Sequence, residues 1–147
     1  MREEYLTDSG YSRKNEGLTP AAEDYLEMIY RMSHEGGERE PVRICALAER
    51  LHVSPSSASR MAQSMTVWGY LDFKRYGYIT LTERGIEMGK YLVDRHETVL
   101  SFLGWLTGEE SLIETERIEH YLSRGTVEAM TRILEKEKER SESGGQK

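Results

Sequence analysis

The chain has 147 residues, enough for one domain or for two small units that share a core. Hydrophobic residues make up 37% of the sequence and charged residues 31%, a balance that suits a soluble, helix-rich protein. No apolar run reaches the ~20 residues that a membrane helix needs, and no apolar segment follows the N-terminal charges, so we expect neither a membrane span nor a secretory signal. The single cysteine, Cys45, cannot form an internal disulfide, which favours a cytoplasmic location.

Charge is distributed unevenly along the chain. The formal net charge of −6, taken alone, argues against nucleic-acid binding. Residues 43–84 nevertheless contain six basic and three acidic side chains and so carry +3, which leaves −9 on the remainder. A basic middle segment in an acidic chain indicates a candidate nucleic-acid-binding region.

The N-terminal part begins with a polar stretch and continues as a helix. Residues 1–17 show no periodicity, and we expect a flexible arm. Thr19 followed by Pro20 is typical of a helix start, because the threonine caps the free amides and proline lacks the amide that would go unpaired. Apolar residues at helical spacing carry this helix to about residue 34.

Two short helices joined by a tight turn follow. The apolar spacing predicts one helix over residues 43–51, and Ser54 with Pro55 predicts the start of another that runs to Val67. His52 occupies the turn, where glycine is commoner, so a structural role is favoured over a ligand role. The arrangement is typical of a helix-turn-helix.

A hairpin is predicted directly after the second of these helices. Leu71 and Phe73 alternate with polar residues, Ile79 and Leu81 do the same, and a basic-aromatic turn lies between the two runs. A helix-turn-helix followed by such a wing is a winged helix. Small polar, amide and basic side chains on its exposed positions are suited to base edges and phosphates. The predicted DNA-binding residues are Ser54, Pro55, Ser56, Ser57, Ser59, Arg60 and Gln63 of the helix and Lys74, Arg75 and Tyr76 of the wing.

The C-terminal part reads as helical throughout. A helix from about Glu83 to Leu106 contains His96 in its apolar row, where a lone histidine is usually a hydrogen-bonded core residue. A short helix follows around residues 116–120, and Thr126 is predicted to cap a last helix that ends near Arg140. The predicted fold is therefore mainly α, with a winged helix-turn-helix domain at 18–83, an all-helical domain at 84–140 and a disordered tail at 141–147.

Two pairs of acidic residues lie at helical spacing. Glu116, Glu119 and His120 occupy positions i, i+3 and i+4 and so share one face of a helix. That face is either solvated or a cation site. Asp24 and Glu27 have the same ambiguity near the start of the first helix, where the helix dipole alone favours acids.

The joint pattern favours the cation site. If the helices pack, four carboxylates converge, and leaving them unpaired would cost several kcal/mol through desolvation and like-charge repulsion. Two divalent cations would balance the four charges, with His96 and His120 completing the ligand set. Carboxylate and imidazole donors suit Mn²⁺ or Fe²⁺, and the lack of nearby cysteine argues against structural zinc.

Four stretches together resemble the diphtheria-toxin-repressor family of metal-dependent regulators, most closely its manganese transport regulator branch. They are Glu23-Asp24-Tyr25-Leu26-Glu27-Met28-Ile29-Tyr30, Ser54-Pro55-Ser56-Ser57, Leu92-Val93-Asp94-Arg95-His96-Glu97 and Ile118-Glu119-His120-Tyr121-Leu122-Ser123. The resemblance covers about residues 18–140. Iron-responsive relatives are expected to carry methionine at the position of Asp24, and the chain is expected to lack their additional SH3-like domain.

This resemblance implies a homodimer that binds a palindromic operator in double-stranded DNA and dimerises through its C-terminal helices. It also implies two Mn²⁺ ions per subunit, with Fe²⁺ as the alternative effector. The implied function is repression of manganese uptake genes, without enzymatic activity. The implied ligands are Asp24, Glu27, His96, Glu116, Glu119 and His120.

Other functions are compatible with parts of the sequence. A dinuclear oxidase of the ferritin-like type would need Glu-x-x-His pairs, and the residue three before His120 is Arg117. His96-Glu97 likewise lacks the second histidine of a metallohydrolase motif. A winged-helix regulator that senses a small organic ligand remains an alternative, although we expect no small organic substrate.

Overall fold

The computed structural model describes residues 18–37, 39–74 and 77–145. The predicted arm at 1–17, the wing-tip residues Arg75 and Tyr76, and the last two residues of the predicted tail lie outside the described residues. In chain order the elements are α1 (Pro20–His34), β1 (Val42–Arg43), α2 (Ile44–Leu51), α3 (Pro55–Val67), β2 (Leu71–Lys74), β3 (Tyr78–Leu81), α4 (Glu83–Thr107), α5 (Leu112–Ile118), a 3₁₀ turn (Glu119–Tyr121) and α6 (Arg124–Gly144). No helix among these is long and apolar enough to cross a membrane.

The described chain forms two compact units, and the boundary between them falls inside α4. Leu18–Val93 makes up the first unit, and the described residues from Asp94 onward belong to the second. The start of α4 therefore belongs with the first unit, although the sequence placed the domain boundary at 83/84. Met88 and Leu92 explain the difference, because both are buried in the first unit's core.

The first unit has the predicted winged helix-turn-helix order. Thr19 caps α1 as expected, since its side-chain oxygen accepts a hydrogen bond from the amide of Ala22 at 3.2 Å. His52 ends α2 in the left-handed conformation, with φ of 55°, and its amide donates to the carbonyl of Glu49 at 3.2 Å. This confirms a structural role for His52, because the left-handed residue turns the chain from α2 towards α3. Apolar side chains from α1, α2, α3 and the sheet form one core.

The sheet has three strands, whereas the sequence predicted a two-stranded hairpin. The order is β1-β3-β2, and both pairings are antiparallel. Val42, Ile79 and Phe73 lie in register on the face that packs on the core, with Ile79 fully buried. The prediction missed β1 because two residues are too few to show alternation.

The second unit has α5 and α6 as its short and long helices. The cap of α6 is Ser123, whose oxygen accepts from the amide of Thr126 at 3.1 Å, so the prediction of Thr126 as cap was wrong by one turn. The helix continues to Gly144 rather than ending near Arg140. The predicted tail is therefore helical at 141–144, where the Ser141 hydroxyl donates to the Glu137 carbonyl at 2.9 Å.

Candidate metal centre and DNA-binding surface

The start of α3 is organised by two serine hydroxyls. Ser54 caps the helix, with its oxygen accepting from the amide of Ser57 at 3.1 Å. The Ser57 hydroxyl in turn lies 2.9 Å from that of Ser54 and 3.5 Å from a terminal nitrogen of Arg60. The Arg60 guanidinium thus lies beside the capping serines at the first turn of the helix.

The predicted DNA-binding residues of α3 differ in exposure. Ser56, Arg60 and Gln63 are exposed at positions i, i+4 and i+7, which places them on one face of the helix. Ser57 and Ser59 are half-buried, and Ser54 and Pro55 are exposed at the start. The opposite side of α3 is anchored in the core by Ala58, Ala62 and Met65. The helix therefore presents one polar, basic face that can enter a major groove.

In its described part, the wing that follows this helix in sequence carries one of the predicted basic contacts. Lys74 is exposed at the end of β2. The two residues that follow it, Arg75 and Tyr76, remain predicted contacts outside the described part of the chain.

Three of the predicted metal ligands meet in the second unit. Nδ1 of His96 lies 2.8 Å from Oε2 of Glu119, and Nε2 of His120 lies 3.9 Å from the other carboxylate oxygen. Glu119 and His120 are only 3% and 8% exposed. A buried carboxylate needs such partners, because desolvation otherwise disfavours its charge.

Glu116 does not join this cluster within the second unit. The sequence placed it on one helical face with Glu119 and His120, but α5 ends at Ile118 and a 3₁₀ turn begins at Glu119. The change from 3.6 to 3 residues per turn rotates the later side chains relative to the earlier one. In the described residues Glu116 is exposed and makes no hydrogen bond or ion pair with the other three ligands.

Arg95 is a neighbour of this cluster that the ligand prediction missed. Its side chain is buried, at 2% exposure, and one of its terminal nitrogens lies 3.3 Å from Nδ1 of His120. The sequence hinted at it only by placing Arg95 next to His96. The buried guanidinium places a fixed positive charge beside the imidazole of His120.

The other two predicted ligands lie in the first unit, on α1. Asp24 is exposed, and Glu27 is half-buried with one oxygen 3.7 Å from a guanidinium nitrogen of Arg31. Between them in sequence, Tyr25 is buried, and this burial raises the pKa of its hydroxyl, which keeps the side chain neutral. The two acids are three residues apart and so neighbours on the surface of α1.

The chemistry of the donor set fits a divalent cation. Glu119 offers two oxygens and the histidines offer ring nitrogens, a combination found at sites for Mn²⁺, Fe²⁺ and Zn²⁺. No cysteine belongs to the cluster, since the single thiol, Cys45, lies on α2. The residues present therefore fit a metal ion of the hard-to-borderline class.

A winged helix-turn-helix unit and a helical unit with buried carboxylate and imidazole donors define the class of metal-responsive DNA-binding regulators. Comparison with known families gives the same result. Residues 17–79 match the model "Iron dependent repressor, N-terminal DNA binding domain", and residues 82–145 match "Iron dependent repressor, metal binding and dimerisation domain". The chain belongs to this family and is a metal-dependent, DNA-binding transcriptional repressor, which confirms the resemblance found in the sequence.

Curated relatives cover most of the chain. The HTH-type transcriptional regulator MntR of Lysinibacillus sphaericus is 36% identical over 119 residues, which are 80% of this chain and 84% of that protein. MntR of Bacillus subtilis is also 36% identical over 119 residues, with 80% and 82% covered. An uncharacterized HTH-type transcriptional regulator of Methanocaldococcus jannaschii is 34% identical over 126 residues, with 84% and 99% covered.

Solved structures with the same fold include two metal regulators. The manganese regulator SloR matches with a TM-score of 0.66 at 27% identity, over 80% of this chain and 55% of that one. The metal-dependent transcriptional regulator MtsR matches with a TM-score of 0.69 at 28% identity, with the same coverage. The chain thus spans about half the length of these solved chains.

Proposed function

We propose that this chain is a manganese-dependent repressor whose metal ligands control how its winged helix binds an operator. The observation that carries the proposal is the buried Glu119 carboxylate with an imidazole nitrogen 2.8 Å away, in a chain of the iron-dependent repressor family. Several relatives are named as manganese regulators, which supports Mn²⁺ as the ion. No enzymatic activity is proposed, and a site of action in the cytoplasm follows from binding to DNA.

The proposed ligands are the six residues inferred from the family resemblance. Within the second unit, Glu119, His96 and His120 already form a cluster, which supports their assignment. Asp24 contributes a hard oxygen donor, which favours Mn²⁺ over softer ions. Two bound Mn²⁺ ions per subunit would supply a charge of +4 that balances the four carboxylates. The full proposed set is Asp24, Glu27, His96, Glu116, Glu119 and His120.

The proposed control follows from where these residues lie in the chain. Asp24 and Glu27 are on α1, in the same unit as the recognition helix α3. The four others are on elements of the second unit. Side chains that coordinate the same metal ions restrain one another. Metal binding by both groups would therefore narrow the range of positions open to α3. Recognition helices of a dimer must fit major grooves ~34 Å apart, and a narrower range lowers the entropic cost of that fit.

The proposed assembly is a homodimer on a palindromic operator. The helical unit has exposed apolar side chains on α4, on α5 and in the 3₁₀ turn, and a second copy of the chain would cover them. These side chains are Trp105, Leu106, Leu112, Ile113 and Tyr121. The same proposal divides the chain by function into a DNA-binding part at 18–83 and a metal-binding and dimerisation part at 84–140, although the first residues of α4 pack in the core of the first unit.

A metal panel tests the proposed function. The probe is a duplex selected by the Mn²⁺-loaded protein from a random-sequence pool, and its affinity is measured at one ionic strength with Mn²⁺, Fe²⁺, Zn²⁺, Ca²⁺ or chelator. We expect Mn²⁺ to tighten DNA binding at least about tenfold, which lies within the usual range of coupling between two ligands. Stronger activation by Fe²⁺ would assign iron as the effector. Equal affinity in all samples would contradict metal control and favour a regulator that senses an organic ligand.

A further inference from the structure

A row of three exposed side chains crosses the solvent face of the sheet. Tyr78 of β3 lies in register with Arg43 of β1 on one side and with Lys74 of β2 on the other. Residues paired in this way point to the same face of a sheet. All three are exposed, with Tyr78 at 37%. The sheet therefore presents a guanidinium, a phenol and an ammonium group side by side.

The Arg43 guanidinium is held in place by Tyr78. Its Nε donates a hydrogen bond to the Tyr78 hydroxyl at 3.2 Å, and its central carbon lies 5.4 Å from the centre of the ring. This contact uses Nε, and the two terminal nitrogens can still form a bidentate pair of hydrogen bonds to a phosphate. Within the described residues Arg43 has no carboxylate at ion-pair distance.

The row is attached rigidly to both DNA-binding elements. Arg43 immediately precedes α2, and the amide of Ile44 donates to the carbonyl of Gly77 at 2.7 Å, which ties the start of the helix-turn-helix to the wing. Gly77 has a φ of 75°, and a Cβ there would lie 2.8 Å from Cγ2 of Ile44. This position therefore requires glycine, and the close approach fixes Arg43 relative to the wing.

The charge on this face changes sign along the strands. The next row away from the wing tip is Asp72 paired with Thr80, so the acidic side chain lies on the side remote from the tip. The basic row lies at the end of β2, where Lys74 is the last residue of the strand. A polyanion approaching the wing meets the positive end of the sheet first.

We propose that Arg43, Tyr78 and Lys74 form a phosphate-binding row that holds the backbone of duplex DNA beside the wing. This inference rests on the proposed function and extends the DNA-binding surface to β1, which the sequence did not identify as a strand. Contacts to phosphates do not depend on base sequence. The row therefore adds affinity for any duplex and sets how the protein is oriented on it.

The test compares Arg43→Gln with Arg50→Gln as a matched control. Arg50 is an exposed arginine of α2 in the same unit, paired with Glu35 at 2.8 Å, so the control removes the same charge away from the row. Dissociation constants are measured for the selected duplex and for an unrelated duplex of equal length, in saturating Mn²⁺ and across a series of salt concentrations. Lys74→Gln and the double variant are measured in the same way.

Arg43→Gln is expected to weaken binding roughly tenfold for both duplexes, since a charge-assisted hydrogen bond is lost. The slope of log affinity against log salt should fall by about 0.9, the value for one phosphate contact. Arg43→Lys keeps the charge and should keep most of the slope. Tyr78→Ala should weaken both duplexes, and Tyr78→Phe, which keeps the ring, should weaken them less.

Three results would overturn the proposal. The first is that Arg43→Gln matches Arg50→Gln in both affinity and slope, and the second is that its loss is confined to the selected duplex, which would indicate base reading. The third is that thermal unfolding shows Arg43→Gln and Arg43→Lys to be equally destabilised and equally weak in binding. The unrelated duplex is also measured without Mn²⁺, so the row is tested even if wild-type binding proves independent of metal.

Discussion

Glu119 is the residue on which the metal assignment depends. Its side chain is buried and has two imidazoles near its two oxygens, at 2.8 and 3.9 Å. Helical spacing in the sequence predicted a candidate cation site at Glu119 and His120, and the joint pattern of acids and histidines added His96 to the predicted ligands. The burial of Glu119 and His120 could not be predicted from the sequence, because it depends on the 3₁₀ turn that begins at Glu119. Arg95 was missed for a similar reason, since a charged residue in a helix is usually exposed.

The first prediction concerns removal of this carboxylate. Glu119→Gln keeps the size of the side chain but removes its charge and one strong oxygen donor, so Mn²⁺ affinity should fall by at least about tenfold. Isothermal titration calorimetry with Mn²⁺ measures the dissociation constant of each variant. Glu128→Gln, an exposed acid on α6, is the control and should bind as the wild type does. Unchanged Mn²⁺ affinity in Glu119→Gln would remove Glu119 from the ligand set.

At the level of elements, capping residues and hydrophobic spacing predicted nearly all of the helices. Thr19 and Ser54 cap the helices that the sequence assigned to them, and the long helix ends within one residue of its predicted end. Elements too short to show a period were missed, as with β1 and the 3₁₀ turn. The sequence also did not predict the close packing of α4 against α1. A glycine within a helix normally indicates lower helix stability and does not by itself indicate a packing contact.

Gly89 gives a prediction for this packing. A Cβ at Gly89 would lie 2.7 Å from Cβ of Tyr30 on α1, so Gly89→Ala should force the two helices apart. We expect the free energy of unfolding to fall by about 1–3 kcal/mol. The control is Gly125→Ala at the start of α6, where the nearest atom is 3.9 Å away and alanine should stabilise by up to about 1 kcal/mol. Chemical denaturation measures both, and equal effects would contradict the packing argument.

At the scale of the whole molecule, the basic segment and the exposed apolar side chains of the second unit occupy different parts of the chain. The basic segment recognised in the sequence includes the exposed face of α3 and the sheet row. The sequence could not show which apolar side chains of the second unit are exposed, since Leu106, an apolar residue at the end of the long helix, is 61% exposed. An assembled protein would remove this surface from water.

Self-association provides the prediction at this scale. Ile113 is 66% exposed on α5, and Ile113→Glu places a charge in the proposed dimer surface. We expect the dimer dissociation constant, measured by sedimentation equilibrium, to rise at least about tenfold, because a buried unpaired charge is costly. Glu128→Lys changes charge on α6 outside that apolar set and serves as control. A dimer of unchanged affinity in Ile113→Glu would exclude this surface.

The central claim is that metal and DNA binding are linked. The most direct measurement is a thermodynamic cycle on the wild-type protein at fixed ionic strength: affinity for the selected duplex with Mn²⁺ and with chelator, and affinity for Mn²⁺ with and without that duplex. Linkage requires the two ratios to be equal, and the account predicts that both are at least about tenfold. Ratios of one would contradict it, because metal occupancy would then have no influence on the form of the protein that binds DNA.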